Sequence, residues 1–97
     1  DTAFIAAEGF TVNDGLTYSY EADAKIARIM KAKAVQTVIL AAERKLDQRD
    51  RITAFPAAEA NGLITDCQDE KKLSAFRDSG IEIVTAKPRH LAVVDQY

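Results

Sequence analysis

A carboxylate follows the first apolar run of this 97-residue chain. Glu8 comes directly after residues 4–7 and directly before Gly9. In open α/β sheets, ligands bind outside the carboxyl ends of the strands, and a carboxylate there can accept hydrogen bonds from ligand hydroxyl groups. The position therefore predicts a ligand contact at Glu8, and the alternative is a carboxylate exposed on a loop.

Three further charged residues are candidates for binding. Glu21 and Lys25 are spaced i, i+4 at the start of a helix-like segment, and this spacing alone predicts a surface ion pair worth a few tenths of a kcal/mol. Lys45 lies within the charged segment 43–51. Such a run is usually a solvated face, but a mobile ammonium group also serves as a point charge for phosphate.

The remaining polar candidates carry weaker signals. Thr17 offers a hydroxyl after a turn, where such groups more often bond the local backbone. His90 is the single histidine, and no Asp, Ser or Cys lies at a spacing typical of a catalytic partner, which favours a surface role over catalysis. Metal-ligand spacing and glycine-rich nucleotide loops are absent from the sequence. We therefore predict no catalytic residue, no metal site and no cofactor.

Alternating apolar and helix-forming segments must position these residues. Strands are predicted at 2–7, 35–41, 52–55, 63–65 and 81–85, with helices at 21–34 and 70–79 and a helical turn at 56–61. Crossover helices must cover the faces of parallel strands, so the order predicts an α/β layer with a mainly parallel sheet flanked by helices. The segment 2–7 is expected to be buried on both faces.

Local signals refine the two helices. Asp69 is a predicted N-cap, Leu73 and Phe76 give the inner face of the second helix, and Gly80 suits the left-handed residue after it. The first helix carries one apolar stripe, the usual sign of a buried face. That stripe consists of Ala22, Ile26, Ile29 and Met30.

Composition limits the class of protein. The formal net charge is −2 with interspersed signs, so this segment has no clustered cations with which to bind nucleic acid. No apolar run reaches the roughly 18–20 residues that a membrane span needs. Cys67 is the only cysteine, which excludes an internal disulfide and favours a reduced, cytoplasmic setting. The start at Asp1 suggests a piece of a longer protein.

An ordered set of motifs runs along residues 1–86. It comprises the strand end at 4–9, Gly15-Leu16-Thr17, the helix start Glu21…Lys25, the aliphatic strand 37–41 followed by Lys45, Leu63-Ile64-Thr65-Asp66, and the strand 80–84. This set resembles the second half of the ligand-sensing domain of DeoR-type bacterial sugar-operon repressors. The chain would then be the C-terminal portion of such a domain over residues 1–97, with 86–97 as a tail.

The resemblance implies a fold similar to ribose-5-phosphate isomerase and glucosamine-6-phosphate deaminase, and a non-enzymatic function. It implies a homo-oligomeric, cytoplasmic repressor whose effector is a phosphorylated sugar or sugar acid. Operator DNA would be bound only through an upstream winged helix-turn-helix, and the family's phosphate loop would also lie upstream. The effector-binding residues implied are Glu8, Gly9, Thr17, Glu21, Lys25 and Lys45, with Lys25 as a cation for phosphate or carboxylate.

Two other functions stay open on the sequence. The chain could be a fragment of a sugar-phosphate isomerase or deaminase-like enzyme, with Glu8 as the base. It could instead be a structural domain that pairs its sheet edge with another copy. Where the family usually has Asp-Ser-Ser-Lys-Phe-Gly, residues 42–47 keep only the lysine, which predicts an unusual effector or a lost binding site.

Overall fold

The computed structural model describes residues 1–86, which form seven strands and two α-helices. Residues 87–97, which include Pro88, His90 and all of the predicted tail except Ala86, lie outside the described residues. The elements are β1 (Thr2–Ala6), β2 (Gly9–Thr11), β3 (Gly15–Tyr18), α1 (Glu21–Lys33), β4 (Gln36–Leu40), β5 (Ile52–Phe55), β6 (Gly62–Thr65), α2 (Glu70–Asp78) and β7 (Glu82–Thr85), with 3₁₀ turns at Glu43–Asp47 and Ala57–Glu59.

Four strands form a parallel sheet in the order β1-β4-β6-β7. Ile5 lies beside Ile39, Ile39 beside Leu63, and Leu63 beside Ile83. The predicted α/β class and mainly parallel sheet are confirmed. Since β1 occupies one end of this order, it is an edge strand within the described residues.

A second sheet was not predicted from the sequence. It is antiparallel and has the order β2-β3-β5. Residues 12–14 connect β2 to β3, and Gly15 at the start of β3 has a φ of +77°, which an L side chain rarely adopts. Of its strands, β5 corresponds to the strand predicted at 52–55. The other two, β2 and β3, have three and four residues, which is too short for an alternating pattern to be recognised.

The core takes its side chains from one face of the parallel sheet. Ile5, Ile39 and Leu63 are at most 4% exposed and lie in register across three strands. They share one cluster with Phe76 of α2 and Phe10 of the small sheet, whose rings stack with centroids 5.1 Å apart. Burial of this continuous apolar cluster holds both helices and the small sheet to the parallel strands.

The opposite face of the parallel sheet stays outside this core in the described part of the chain. Because side chains in register share a face, one apolar row consists of Ala6, Leu40, Ile64 and Val84. Phe4, on the same face, is 55% exposed, as is Val84. The predicted burial of residues 2–7 on both faces is therefore wrong, since within β1 only Ile5 is buried.

Helix α1 turns a different side to the core from the one predicted. Its buried residues are Ala24 and Ala27, whereas Ile26, Ile29 and Met30 are 56%, 46% and 38% exposed. The predicted burial of the stripe is wrong, because the side of α1 that packs against the core carries the small side chains of Ala24 and Ala27.

Arg28 holds α1 in this rotation. Its Nε donates to the Ala54 carbonyl at 2.9 Å, and its guanidinium also donates to the Thr53 carbonyl at 2.7 Å. Both acceptors belong to β5, so the helix is tied to the small sheet by polar bonds as well as by burial.

The predicted ends of α2 are confirmed. Asp69 Oδ1 accepts a hydrogen bond from the Lys71 backbone N–H at 3.0 Å, the geometry of an N-cap. Gly80 has a φ of +87° just beyond the helix. Leu73 and Phe76 face the core as expected.

Candidate functional site

A cavity of about 410 Å³ opens beside the carboxyl end of the edge strand β1. Its walls come from β1 and the residues after it, from β3, from α1 and from the 3₁₀ turn that follows β4. The lining residues are Phe4, Ile5, Ala6, Ala7, Glu8, Tyr18, Asp23, Ile26, Ala27, Met30 and Lys45. A lining that is mostly apolar with a few charged groups is typical of a small-molecule site.

Glu8 and Lys45, both named from the sequence, line this one cavity. They come together because β1 and β4 are parallel neighbours, with Ala6 beside Leu40 at their carboxyl ends. The segments that leave these two strands therefore start side by side. The 3₁₀ turn that carries Lys45 begins shortly after β4. The backbone N–H of Lys45 donates to the Ala42 carbonyl at 2.9 Å.

Ser19, which does not line the cavity, holds the Glu8 carboxylate with two hydrogen bonds. The Ser19 hydroxyl donates to Glu8 Oε2 at 2.8 Å, and the Ser19 backbone N–H donates to Oε1 at 3.2 Å. Sequence reasoning missed Ser19, because no local spacing connects two residues that are eleven positions apart. The pairing exists only because β3 returns the chain to the end of β1.

Tyr18 and Asp23 were also missed. The Tyr18 hydroxyl donates to the Ala6 carbonyl at 2.7 Å, and this side chain is 7% exposed. Burial raises the pKa of the Tyr18 phenol well above its usual value, and the carboxylates of Asp23 and Glu8 raise it further. Tyr18 is thus a neutral hydrogen-bond donor, and two carboxylates lie near its ring.

Glu21 and Lys25 do not line the cavity. Both are exposed on α1, and Glu21 Oε1 accepts from the Arg28 guanidinium at 2.6 Å. Within the described residues, the ion pair of Glu21 is therefore made with Arg28 and not with Lys25. The i, i+4 pair expected from the spacing is replaced by a pair across two helical turns.

Gly9 and Thr17 do not line the cavity, and they are hydrogen-bonded to each other. The Thr17 hydroxyl is 1% exposed, donates to the Gly9 carbonyl at 3.3 Å and accepts from the Asp50 backbone N–H at 2.9 Å. A Cβ atom at Gly9 would collide with the Gln48 carbonyl oxygen. This close approach fixes the start of β2 against the chain that follows the 3₁₀ turn.

The charges on the other side of that turn are paired with one another. Lys72 Nζ lies 2.6 Å from Asp47 Oδ2 and 3.7 Å from Glu43 Oε2, while Asp66 Oδ1 accepts from the Glu43 backbone N–H at 2.8 Å. These contacts tie the turn to α2 and to the end of β6. Among residues 1–86, no group of three or more acidic, histidine or cysteine side chains is arranged to hold a metal ion.

A cavity with charged lining residues at the carboxyl end of a parallel strand is the arrangement typical of α/β domains that bind small molecules. A family model described as the DeoR C terminal sensor domain matches residues 1–67. The chain belongs to this family, and it is a sensing domain of a DeoR-type regulator. No curated protein matches the chain.

The matched range includes both Glu8 and Lys45 and ends at Cys67, before α2 and β7. The match does not cover residues 68–86, over which the sequence resemblance stays a prediction. Of the helices described, neither is long and apolar enough to cross a lipid bilayer.

Proposed function

We propose that this domain senses a phosphorylated sugar or sugar acid that binds in the cavity beside β1. The observation that supports the proposal is that Glu8 and Lys45 line the same cavity from two adjacent loops. The carboxylate of Glu8 accepts hydrogen bonds from sugar hydroxyls, and the ammonium of Lys45 pairs with the anionic group. The exposed apolar walls provided by Phe4 and Ile26 suit the carbon skeleton of a sugar.

Signal transmission follows from the elements that the ligand would bridge. A ligand held by Glu8 and Lys45 ties the end of β1 to the 3₁₀ turn after β4, and it also contacts α1 through Ile26. Binding therefore favours one arrangement of these elements over others, which is a population shift. In the proposed cytoplasmic repressor, this shift alters how a homo-oligomer holds operator DNA through an attached helix-turn-helix.

A thermal-shift series on the full natural polypeptide tests the proposal. The probes are ribose 5-phosphate, glucose 6-phosphate and 6-phosphogluconate, with the parent sugars and inorganic phosphate as references. A ligand that binds only the folded state stabilises it by about 2.7 kcal/mol at a hundred times its Kd. We expect a concentration-dependent rise in Tm for at least one phosphorylated probe.

Charge variants locate the binding site. Lys45→Gln and Glu8→Gln should each diminish the ligand-induced rise in Tm. Lys71→Gln should preserve it, because Lys71 is exposed on α2 and does not line the cavity. A rise that is unchanged in Lys45→Gln and Glu8→Gln, or no rise with any probe, contradicts the proposal.

The same polypeptide separates sensing from catalysis. Incubation with the sugar phosphates, followed by proton NMR of the sugar, detects aldose–ketose isomerisation. We expect binding without turnover. Turnover that is lost in Glu8→Gln would instead make the domain a sugar-phosphate isomerase with Glu8 as its base.

A further inference from the structure

We infer that Ser19 determines the specificity of the cavity by positioning the Glu8 carboxylate, an inference that rests on the proposed function. Ser19 donates to both oxygens of this carboxylate, through its hydroxyl at 2.8 Å and its backbone N–H at 3.2 Å. Two donors from one residue fix both the position and the plane of the group. Ser19 does not line the cavity, so it acts through Glu8.

The contacts of Ser19 decide what Glu8 can still accept. An ionised carboxylate has about four lone-pair sites, of which Ser19 occupies two. Glu8 lines the cavity, so its remaining sites are available to a donor on the ligand. A carboxylate held in this way selects a ligand hydroxyl and leaves an unpaired acceptor when that hydroxyl is missing.

The neighbouring residue makes this arrangement rigid. Tyr18 donates its hydroxyl to the Ala6 carbonyl at 2.7 Å and is 7% exposed. Tyr18 and Ser19 are consecutive, and their partners Ala6 and Glu8 are two residues apart. The end of β3 therefore clamps the end of β1 at two points, and the carboxylate loses its rotamer freedom on folding and not on binding.

The test compares sugar phosphates that differ by one hydroxyl. Isothermal titration calorimetry on the full natural polypeptide gives the Kd for ribose 5-phosphate and 2-deoxyribose 5-phosphate, and for glucose 6-phosphate and 2-deoxyglucose 6-phosphate. We expect the hydroxylated member of at least one pair to bind more tightly. The ratio of the two Kd values measures the contribution of the hydroxyl.

Ser19→Ala should weaken binding of the hydroxylated probe by about three- to tenfold, the effect of losing one hydrogen bond, and should move the ratio toward one. Ser19→Thr, which keeps the hydroxyl, should recover part of the ratio. Ser74→Ala is the matched control, because Ser74 is exposed on α2. In a Glu8→Gln background, Ser19→Ala should have little further effect, since the two residues act as one unit.

The possible failures are distinguishable. If no probe binds the unsubstituted protein, the proposed function and this inference both fail. If a probe binds and Ser19→Ala keeps both its affinity and its ratio, only the role of Ser19 is refuted. If Ser19→Ala and Glu8→Gln weaken binding additively, or if the ratio stays constant while affinity falls, Ser19 has a merely structural role and the inference is overturned.

Discussion

Replacement of Gly9 by alanine tests whether this residue serves packing or ligand contact. A Cβ at Gly9 would collide with the Gln48 carbonyl oxygen and would lie 2.7 Å from Thr17 Oγ1. The first obstacle is backbone, which cannot rotate aside as a side chain can. We therefore expect Gly9→Ala to force β2 away from the chain that follows the 3₁₀ turn.

The expected cost is that of an overpacked interior. Such substitutions typically cost about 1–3 kcal/mol, and the backbone collision places Gly9→Ala in the upper half of that range, at about 2 kcal/mol or more. For a domain of this size, each kcal/mol shifts Tm by about 4–8 °C. The Tm of the variant should therefore fall by roughly 8–16 °C in the absence of any ligand.

Urea unfolding followed by far-UV circular dichroism measures the change in the free energy of unfolding. Gly62→Ala is the matched control, because a Cβ there would meet its nearest atoms, the Glu82 carbonyl oxygen and Val38 Cγ2, at the ordinary distance of 3.4 Å. The control should lie within about 1 kcal/mol of the unsubstituted chain. If Gly9→Ala is as stable as Gly62→Ala, the packing role of Gly9 is refuted.

Two further predictions concern stability. The ordinary pKa of tyrosine is 10, and the folded state keeps Tyr18 protonated above that pH. The unfolded chain loses this proton above pH 10. The free energy of unfolding should therefore fall by up to about 1.4 kcal/mol per pH unit above pH 10. Urea titrations at pH 9, 10 and 11 should show a smaller decline for Tyr18→Phe, and equal declines would contradict the reasoning. Asp69→Ala removes the N-cap of α2 and should cost about 1 kcal/mol in urea unfolding. Gln68→Ala should cost less, and equal costs would disprove the capping role.

The parallel sheet could be predicted because it depends on local signals, whereas Glu8 and Lys45 were named together only through the family resemblance. Apolar segments mark the strands, and the carboxyl ends of neighbouring parallel strands meet at one edge. The ends of α2 could also be predicted, because Asp69 and Gly80 are residue types that satisfy the unpaired backbone groups present at every helix end.

The rotation of α1 and the contact between Ser19 and Glu8 could not be predicted in this way. Periodicity identifies an apolar stripe on α1, but packing against the rest of the fold decides which side is buried, and that side carries Ala24 and Ala27 and not Ile26. The Ser19 contact depends on a short antiparallel sheet whose strands carry too few residues for a pattern. Nothing near Ser19 in the sequence indicates its partner.

The core covers one face of the parallel sheet, and the uncovered face affects how the chain behaves in solution. Within residues 1–86, the row of Ala6, Leu40, Ile64 and Val84 forms an apolar surface that crosses all four parallel strands, with Leu40 and Ile64 half-buried. Contiguous apolar surface of this kind promotes association between molecules, so solubility and not folding stability should limit the usable concentration of residues 1–97. A polar substitution at Phe4 or Val84, each 55% exposed, should improve solubility while leaving the core unchanged.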